Sequence, residues 1–205
     1  MKLGLLADIH EDVERLSEAI ERLRSLGAER FVMLGDVFDA GDRDRIDRVA
    51  GLLLELKAEG VWGNHDFGLC VDPDEYVQRT FTERTLRYMT SLHDRLVVDG
   101  AHFSHIEPWL DPNALEDLWQ CGPHPDTPEQ VAQSFAAVPH RRIFMGHNHR
   151  WIAAVPGKLL DWEGESTLQF DPNVRSFVVV HAVVDGWCAL FDTSEDVLMP
   201  VKLSF

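Results

Sequence analysis

The chain has 205 residues, with 45% hydrophobic and 26% charged residues and a formal net charge of −16. That length and hydrophobic content suit one globular domain with a sizeable core. The acidity makes polymeric nucleic acid and membranes poor partners, since such a surface repels phosphate backbones and anionic lipids.

Cys70, Cys121 and Cys188 are scattered without metal spacing, and an odd number does not suggest a disulfide framework. Lys2-Leu3 enters the first apolar run directly, which leaves no room for a signal peptide. The longest apolar run, Phe177 to Val184, is interrupted by His181 and is far too short to span a bilayer. The expectation is a cytoplasmic protein forming a single domain over 1–205; homo-oligomerisation is left open.

Leu3 to Ala7 reads as a buried strand ending in Asp8-Ile9-His10. Glu11 to Leu26 carries Val13, Leu16, Ala19, Ile20 and Leu23 at helical spacing, with Gly27 as its C-cap. Phe31 to Leu34 is a second strand, delivering Gly35-Asp36 and, later in the same loop, Asp39. Arg45 to Glu59 predicts a helix closed by Gly60, followed by the brief strand Val61-Trp62 and Gly63-Asn64-His65-Asp66. This alternation argues for right-handed βαβ units in a largely parallel sheet. Pro73 to Leu92 predicts a further amphipathic helix through Tyr76, Phe81, Leu86 and Met89.

Leu96 to Val98 and Ala101 to Ser104 form a predicted hairpin around Asp99-Gly100, its second strand ending in His105. Residues 107–128 carry five prolines and several Asp, which predicts an irregular surface excursion with a short helical piece around Ala114 to Trp119. Pro128 to Ala137 predicts a helix, and Arg142 to Met145 a strand that delivers Gly146-His147-Asn148-His149. Beyond it, six short β runs separated by Gly, Pro and Asp turns (Trp151 to Val155, Lys158 to Asp161, Thr167 to Phe170, Ser176 to Val184, Trp187 to Asp192, Val197 to Leu203) read as an antiparallel second sheet.

Four strand ends therefore carry His, Asp and Asn, and in open α/β sheets chemistry collects just beyond the carboxyl ends of strands. Imidazole, carboxylate and amide oxygen together suit hard or borderline divalent ions. Asp8 and His10 are two residues apart and reach one ion from a single loop; His147 and His149 repeat that spacing. Asp36, preceded by Gly35, is the natural carboxylate to bridge two ions. Any of these residues alone is more simply a helix cap or a turn former. His105 has a rival in His102, three residues earlier and so on the opposite strand face. His93, His124, His140 and His181 read as structural or surface residues, and Trp62, Trp109 and Trp151 as core or rim.

The set Asp-x-His, Gly-Asp-x-x-Asp, Gly-Asn-His-Asp, a lone His after a strand and Gly-His-x-His resembles the calcineurin-like metallophosphoesterase family, most closely its small uncapped bacterial and archaeal phosphodiesterases. The resemblance implies a four-layer α/β/β/α sandwich of two packed mixed sheets. It implies two divalent ions, Mn2+ foremost, with Fe, Zn, Ni or Co as alternatives. Asp8, His10, Asp36 and His149 would hold the first ion, and Asp36, Asn64, His105 and His147 the second. It further implies hydrolysis of a small phosphoester by a metal-activated water, with His65 as the acid and Asp66 orienting it; Asp39 would sit outside the metal ligands. Many members carry a loop of small residues before the final strands. Here that stretch is Asp171 to Ser176, where Arg175, like Arg150 beside the last motif, is a candidate to contact a substrate phosphate. The family's protein phosphatases place Arg after the loop carboxylate, whereas this chain has Ala40, which favours a phosphodiester over a phosphomonoester.

Overall fold

Alternating apolar residues decide the layering. The computed structural model describes residues 1–39, 41–119 and 125–204. In chain order the elements are β1 (Lys2–Leu6), α1 (Val13–Ser25), β2 (Arg30–Leu34), α2 (Arg43–Leu56), β3 (Glu59–Val61), α3 (Phe67–Cys70), α4 (Glu75–Thr80) and α5 (Glu83–Met89). Next come β4 (Leu96–Val98), β5 (Ala101–Ser104), α6 (Leu115–Leu118), α7 (Pro128–Ala137) and β6 (Arg142–Met145). The chain closes with β7 (Ile152–Val155), β8 (Lys158–Leu159), β9 (Leu168–Gln169), β10 (Ser176–Val179), β11 (Trp187–Asp192) and β12 (Val197–Lys202). Residues Ala40, Cys121 and His124 lie outside the described set.

These strands build two six-stranded sheets, in the orders β3-β2-β1-β11-β12-β9 and β4-β5-β6-β10-β7-β8. Both are mixed: β1, β2 and β3 run parallel, as do β5, β6 and β10, while β11 and β7 join them antiparallel. Side chains alternate between faces along each strand. On β1, Leu3 and Leu5 point between the sheets, where they meet Phe103, Phe144, Val178 and Phe191. Leu6 points outward to Leu16, Leu23, Val49 and Leu53 of α1 and α2. On β6, Phe144 faces inward while Ile143 and Met145 pack under Val131 and Phe135 of α7. The result is the expected four-layer α/β/β/α sandwich.

Three expectations change. The helix drawn from Arg45 to Glu59 runs from Arg43 to Leu56 and ends at Lys57, whose backbone is left-handed at φ 53°. Gly60 belongs to β3 instead of closing that helix, because a Cβ there would lie 2.5 Å from the Met33 carbonyl oxygen. The long helix of 73–92 is broken in two: Asp74 and Thr82 each accept a backbone N–H as N-caps, and Phe81 between them is extended. A capping side chain stops one helix and starts another although the apolar spacing continues. Finally, the strands after His149 do not form a sheet of their own. The run from Ser176 stops at Val179, and residues 180–186 cross from one sheet to the other, with Val180 N–H on the Met145 carbonyl and Val183 N–H on that of Ala7. β7, β8 and β10 thus complete the second sheet, and β9, β11 and β12 the first.

No helix among the described residues is long and apolar enough to cross a membrane.

Phe144 sits at the centre of the intersheet core, fully buried, with the rings of Phe103, Phe191 and Phe170 at 5.4, 4.9 and 6.4 Å. Phe144→Ala should lower the unfolding free energy in chemical denaturation by about 3–5 kcal/mol. A loss below about 1 kcal/mol would contradict the packing role given to this ring.

Candidate metal centre

The parallel strands β1, β2, β3, β5 and β6 release their loops at one edge, and those loops interlock through the backbone. Asp8 N–H donates to the Gly35 carbonyl at 3.0 Å, and Ile9 N–H to that of Asp36 at 2.8 Å. The fit is tight enough to require glycine: a Cβ on Gly35 would lie 2.3 Å from His105 Nδ1, and one on Gly63 2.0 Å from an Asp36 carboxylate oxygen. Asp8, His10, Glu11, Asp36, His147 and His149 all have positive φ, between 45° and 72°. Such strained backbone gathers at functional sites, where the surrounding structure over-determines it.

Two groups of ligand atoms result. Asp8, His10 and His149 bring donors within 4.8 Å of one another, and so do Asp36, His105 and His147. Asn64 joins the second group, its Oδ1 3.0 Å from His105 Nε2. The divisions expected for the two ions are thus brought together in space, with Asp36 acting electrostatically on both Asp8 and His10. A third group, His10, Asp39 and His65, adjoins them. His10, Asp36, Asp39, Asn64, His65, His147 and His149 line an open cleft of about 470 Å³ together with Val184 and Asp185, with Asp8 and His105 buried.

The donor chemistry fits divalent cations. His105 Nδ1 contacts the Leu34 carbonyl at 2.7 Å, so the neutral ring carries its free lone pair on Nε2. That nitrogen faces His147 Nδ1 at 3.2 Å, and His10 Nε2 faces His149 Nε2 at 3.1 Å. Ring nitrogens packed against one another beside buried carboxylates suit a site for positive charge. The titration of the group agrees. Burial, reinforced by Asp36, pushes Asp8 well up and Asp66 to about 7. Burial also acts to raise Asp36, but the nearby His105 charge and hydrogen bond outweigh it and hold the carboxyl low. His105 is raised to about 9: burial opposes its charge, and Asp36 at 3.3 Å overcomes that opposition. Buried carboxylates thus favour positive charge at this point of the site.

Several sequence expectations are revised here. The Asp66 carboxylate is engaged by backbone N–H groups, not by the His65 ring as expected. Buried, it accepts from Val37 N–H at 3.0 Å, Phe38 N–H at 3.3 Å and Gly63 N–H at 3.0 Å, tying the loops after β2 and β3 together. Asp39 is the group beside the His65 ring, 3.2 Å from Nδ1, while His65 N–H donates to Asp36. Arg175 lies at the opposite end of β10 and caps α7, donating to the carbonyls of Phe135, Val138 and His140. That places Arg175 away from the strand ends that carry the ligand groups. Arg150 pairs with Asp126 at 3.0 Å and borders a separate cavity with Trp151 and Trp162. His102 is buried against His140 with rings 5.3 Å apart, and burial lowers it to about 4, so it is a neutral core histidine away from the centre. Trp151 is core, and Trp62 and Trp109 are half-buried.

Asp185 was missed. It accepts from His149 Nδ1 at 2.9 Å, leaving Nε2 to face His10 and Asp8. A carboxylate behind a ligating imidazole fixes its ring and raises its basicity. The turn that carries it is fastened to the end of β1, with Val184 N–H on the Asp8 carbonyl at 3.1 Å and Arg15 on the Val184 carbonyl. The signal was present in the sequence: Asp185, like Asp8, directly follows an apolar run.

The calcineurin-like phosphoesterase superfamily domain matches residues 1–182. The chain belongs to that superfamily. Its fold is similar to that of a metallophosphoesterase from Sphaerobacter thermophilus, at a TM-score of 0.78 and 18% identity, covering 100% of this chain and 89% of that one. It is also similar to a novel archaeal phosphodiesterase, at a TM-score of 0.57 and 14% identity, covering 99% and 100%. An uncharacterised protein of Methanocaldococcus jannaschii is 22% identical over 193 residues, 82% of this chain and 71% of the relative. Membership makes this a metallophosphoesterase-family chain whose His and Asp clusters are its candidate divalent-metal ligands.

Asp185→Ala should weaken Mn2+ binding at the candidate position of Asp8, His10 and His149 by about 10–100-fold and leave any binding at the candidate position of Asp36, His105 and His147 near its original affinity. Asp185→Asn, which keeps an acceptor but no charge, should fall between. Calorimetric titration of Mn2+ separates the outcomes; equal weakening of both positions, or of neither, would contradict the role given to Asp185.

Proposed function

We propose that this chain is a phosphodiesterase that uses two divalent ions, Mn2+ foremost, to hydrolyse a small phosphodiester. The observation that carries the reading is the charge of the cleft lining. Among the described residues it contains no Lys or Arg. A phosphomonoester carries close to two negative charges at neutral pH and a diester one, so a monoesterase usually adds cationic side chains beside its metals. Both arginines singled out in the sequence are engaged elsewhere, Arg175 on α7 and Arg150 on Asp126. The fold neighbour described as an archaeal phosphodiesterase offers a parallel. Free Cys70 and Cys188 support a reducing compartment, the cytoplasm.

Bound ions would supply Lewis-acid polarisation of the phosphate and activation of a water. The chain's own residues divide the remaining work. Asp8, His10 and His149 would hold one ion, and His105, His147 and Asn64 the other together with Asp36, whose carboxylate would bridge to the first. His65 is the acid for the leaving oxygen, its ring held by Asp39 at 3.2 Å and its backbone by Asp36. Asp66 keeps the two loops that carry these groups in register.

Two measurements test this. For a diester and a monoester sharing one leaving group, kcat/KM should be higher for the diester; a consistent monoester preference across several leaving groups would overturn the assignment. His65→Ala should keep its metal content yet lose on the order of 10²-fold in kcat for alkyl leaving groups. The deficit should shrink for nitrophenolate, which leaves without a proton, and an equal deficit for both would remove His65 from the acid role.

A further inference from the structure

The described start of the excursion after β5, residues 106–119, is a folded module. Ile106, Leu110 and Leu118 are buried together, with Trp109 and with Phe67 from the segment just past His65-Asp66. Trp62 Nε1–H donates to the Pro112 carbonyl at 3.1 Å, and Arg95 to that of Leu110 at 2.6 Å. Asp111 N–H reaches the Asp117 carboxylate at 2.8 Å. The segment is therefore fixed against the loop that bears the candidate acid.

What it presents there is apolar and exposed. The Trp119 ring lies 5.0 Å from the His65 ring at 56°, yet half of the residue is open to solvent at 50%. Leu115, four residues earlier on the same helical face, is also 50% exposed. Tryptophan carries one of the largest apolar surfaces to bury, so leaving an indole half-exposed beside a metal cleft forfeits stabilisation that core packing would give. A small apolar patch fixed beside polar chemistry is the usual form of a ligand-binding surface.

We propose that Trp119, with Leu115 beside it, is the stacking surface for the substrate's leaving group, and that the substrate is a small phosphodiester whose leaving group bears a planar aromatic ring, as a nucleobase does. The inference rests on the phosphodiesterase reading, because that reading puts the leaving oxygen at His65, and the group attached to that oxygen then meets Trp119. Stacking on an indole is indifferent to which base is present. The segment also limits size. From 106 to 119 it holds Glu107, Asp111, Glu116 and Asp117 and no Lys or Arg, which discourages a polyanionic strand and admits a single neutral ring.

The test compares a cyclic mononucleotide with an aliphatic phosphodiester such as a glycerophosphodiester, both with alkoxide leaving groups, on the wild type, Trp119→Ala and Trp119→Phe. Trp119→Ala should lower the nucleotide-to-aliphatic ratio of kcat/KM roughly tenfold, mainly through KM, and Trp119→Phe should recover most of it. Calorimetric binding of a nucleoside monophosphate to the Mn2+-loaded protein is read in parallel and should weaken by a similar factor in Trp119→Ala. An unchanged ratio with unchanged nucleotide binding overturns the proposal, as does an equal loss on both substrates. If light scattering shows Trp119→Ala converting a dimer to a monomer with the ratio intact, the patch belongs to a second copy of this chain and the proposal falls. Failure of the wild type to hydrolyse either diester would refute the phosphodiesterase reading, while Trp119-dependent nucleotide binding would still uphold the stacking surface.

Discussion

Carboxylates held where water cannot reach them set the terms for the rest of the molecule. Asp8 and Asp66 are 0% exposed and Asp36 is 3% exposed, and all three act on one another. The effective cost of burying one such charge is several kcal/mol. Part of it is met by the backbone: Asp66 takes three N–H groups from neighbouring loops, and Asp8 takes the His147 N–H at 3.1 Å. The remainder needs positive charge, which is why His105 holds its proton to about 9 although burial works against it. The left-handed backbone at Asp8, His10, Asp36, His147 and His149, and the close approach at Gly35 and Gly63, are the conformational cost of aiming that many donors inward.

The fold meets that cost with its two sheets. Parallel strands in each release their loops at a common edge, and the intersheet core of Leu3, Leu5, Phe103 and Phe144 fixes the distance between the loops. The later strands contribute more than a second layer. The crossing at 180–186 stitches the second sheet to β1 and delivers Asp185 behind His149. The same principle governs residues 106–119 after β5, which pack a small core of their own and set Trp119 5.0 Å from the His65 ring. Rigid elements position the reactive groups, and packed loops shape what surrounds them.

Much of this was legible in the sequence because the site is written at strand ends. An apolar run followed by Asp8-Ile9-His10, Gly35-Asp36, Gly63-Asn64-His65-Asp66 or Gly146-His147-Asn148-His149 states both the strand and its chemistry, and strand order makes the edge common. What escaped depended on tertiary contacts. Asp66 follows His65 in sequence, but its carboxylate turns to the β2 loop, and Asp39 from that loop takes the place beside the ring. Arg175 looked like a phosphate ligand only while the direction of β10 was unknown; once parallel to β6, that strand begins at the far end of the sheet. Apolar spacing ran straight through Phe81, and it was the Thr82 side chain, accepting from Thr85 N–H, that divided the helix. Asp185 carried the right local signal but gained its meaning from the chain crossing between sheets.

The central claim is that the buried charge is built for two cations, and it can be measured directly. Metal-free protein is titrated with Mn2+ at about pH 7 in two buffers of different ionisation enthalpy. The account predicts two ions bound per chain with net release of protons, because His105, protonated up to about 9, must give up its proton to offer Nε2. Affinity should therefore strengthen as the pH is raised toward that value. Uptake of fewer than two ions, or uptake with no proton release, would contradict it.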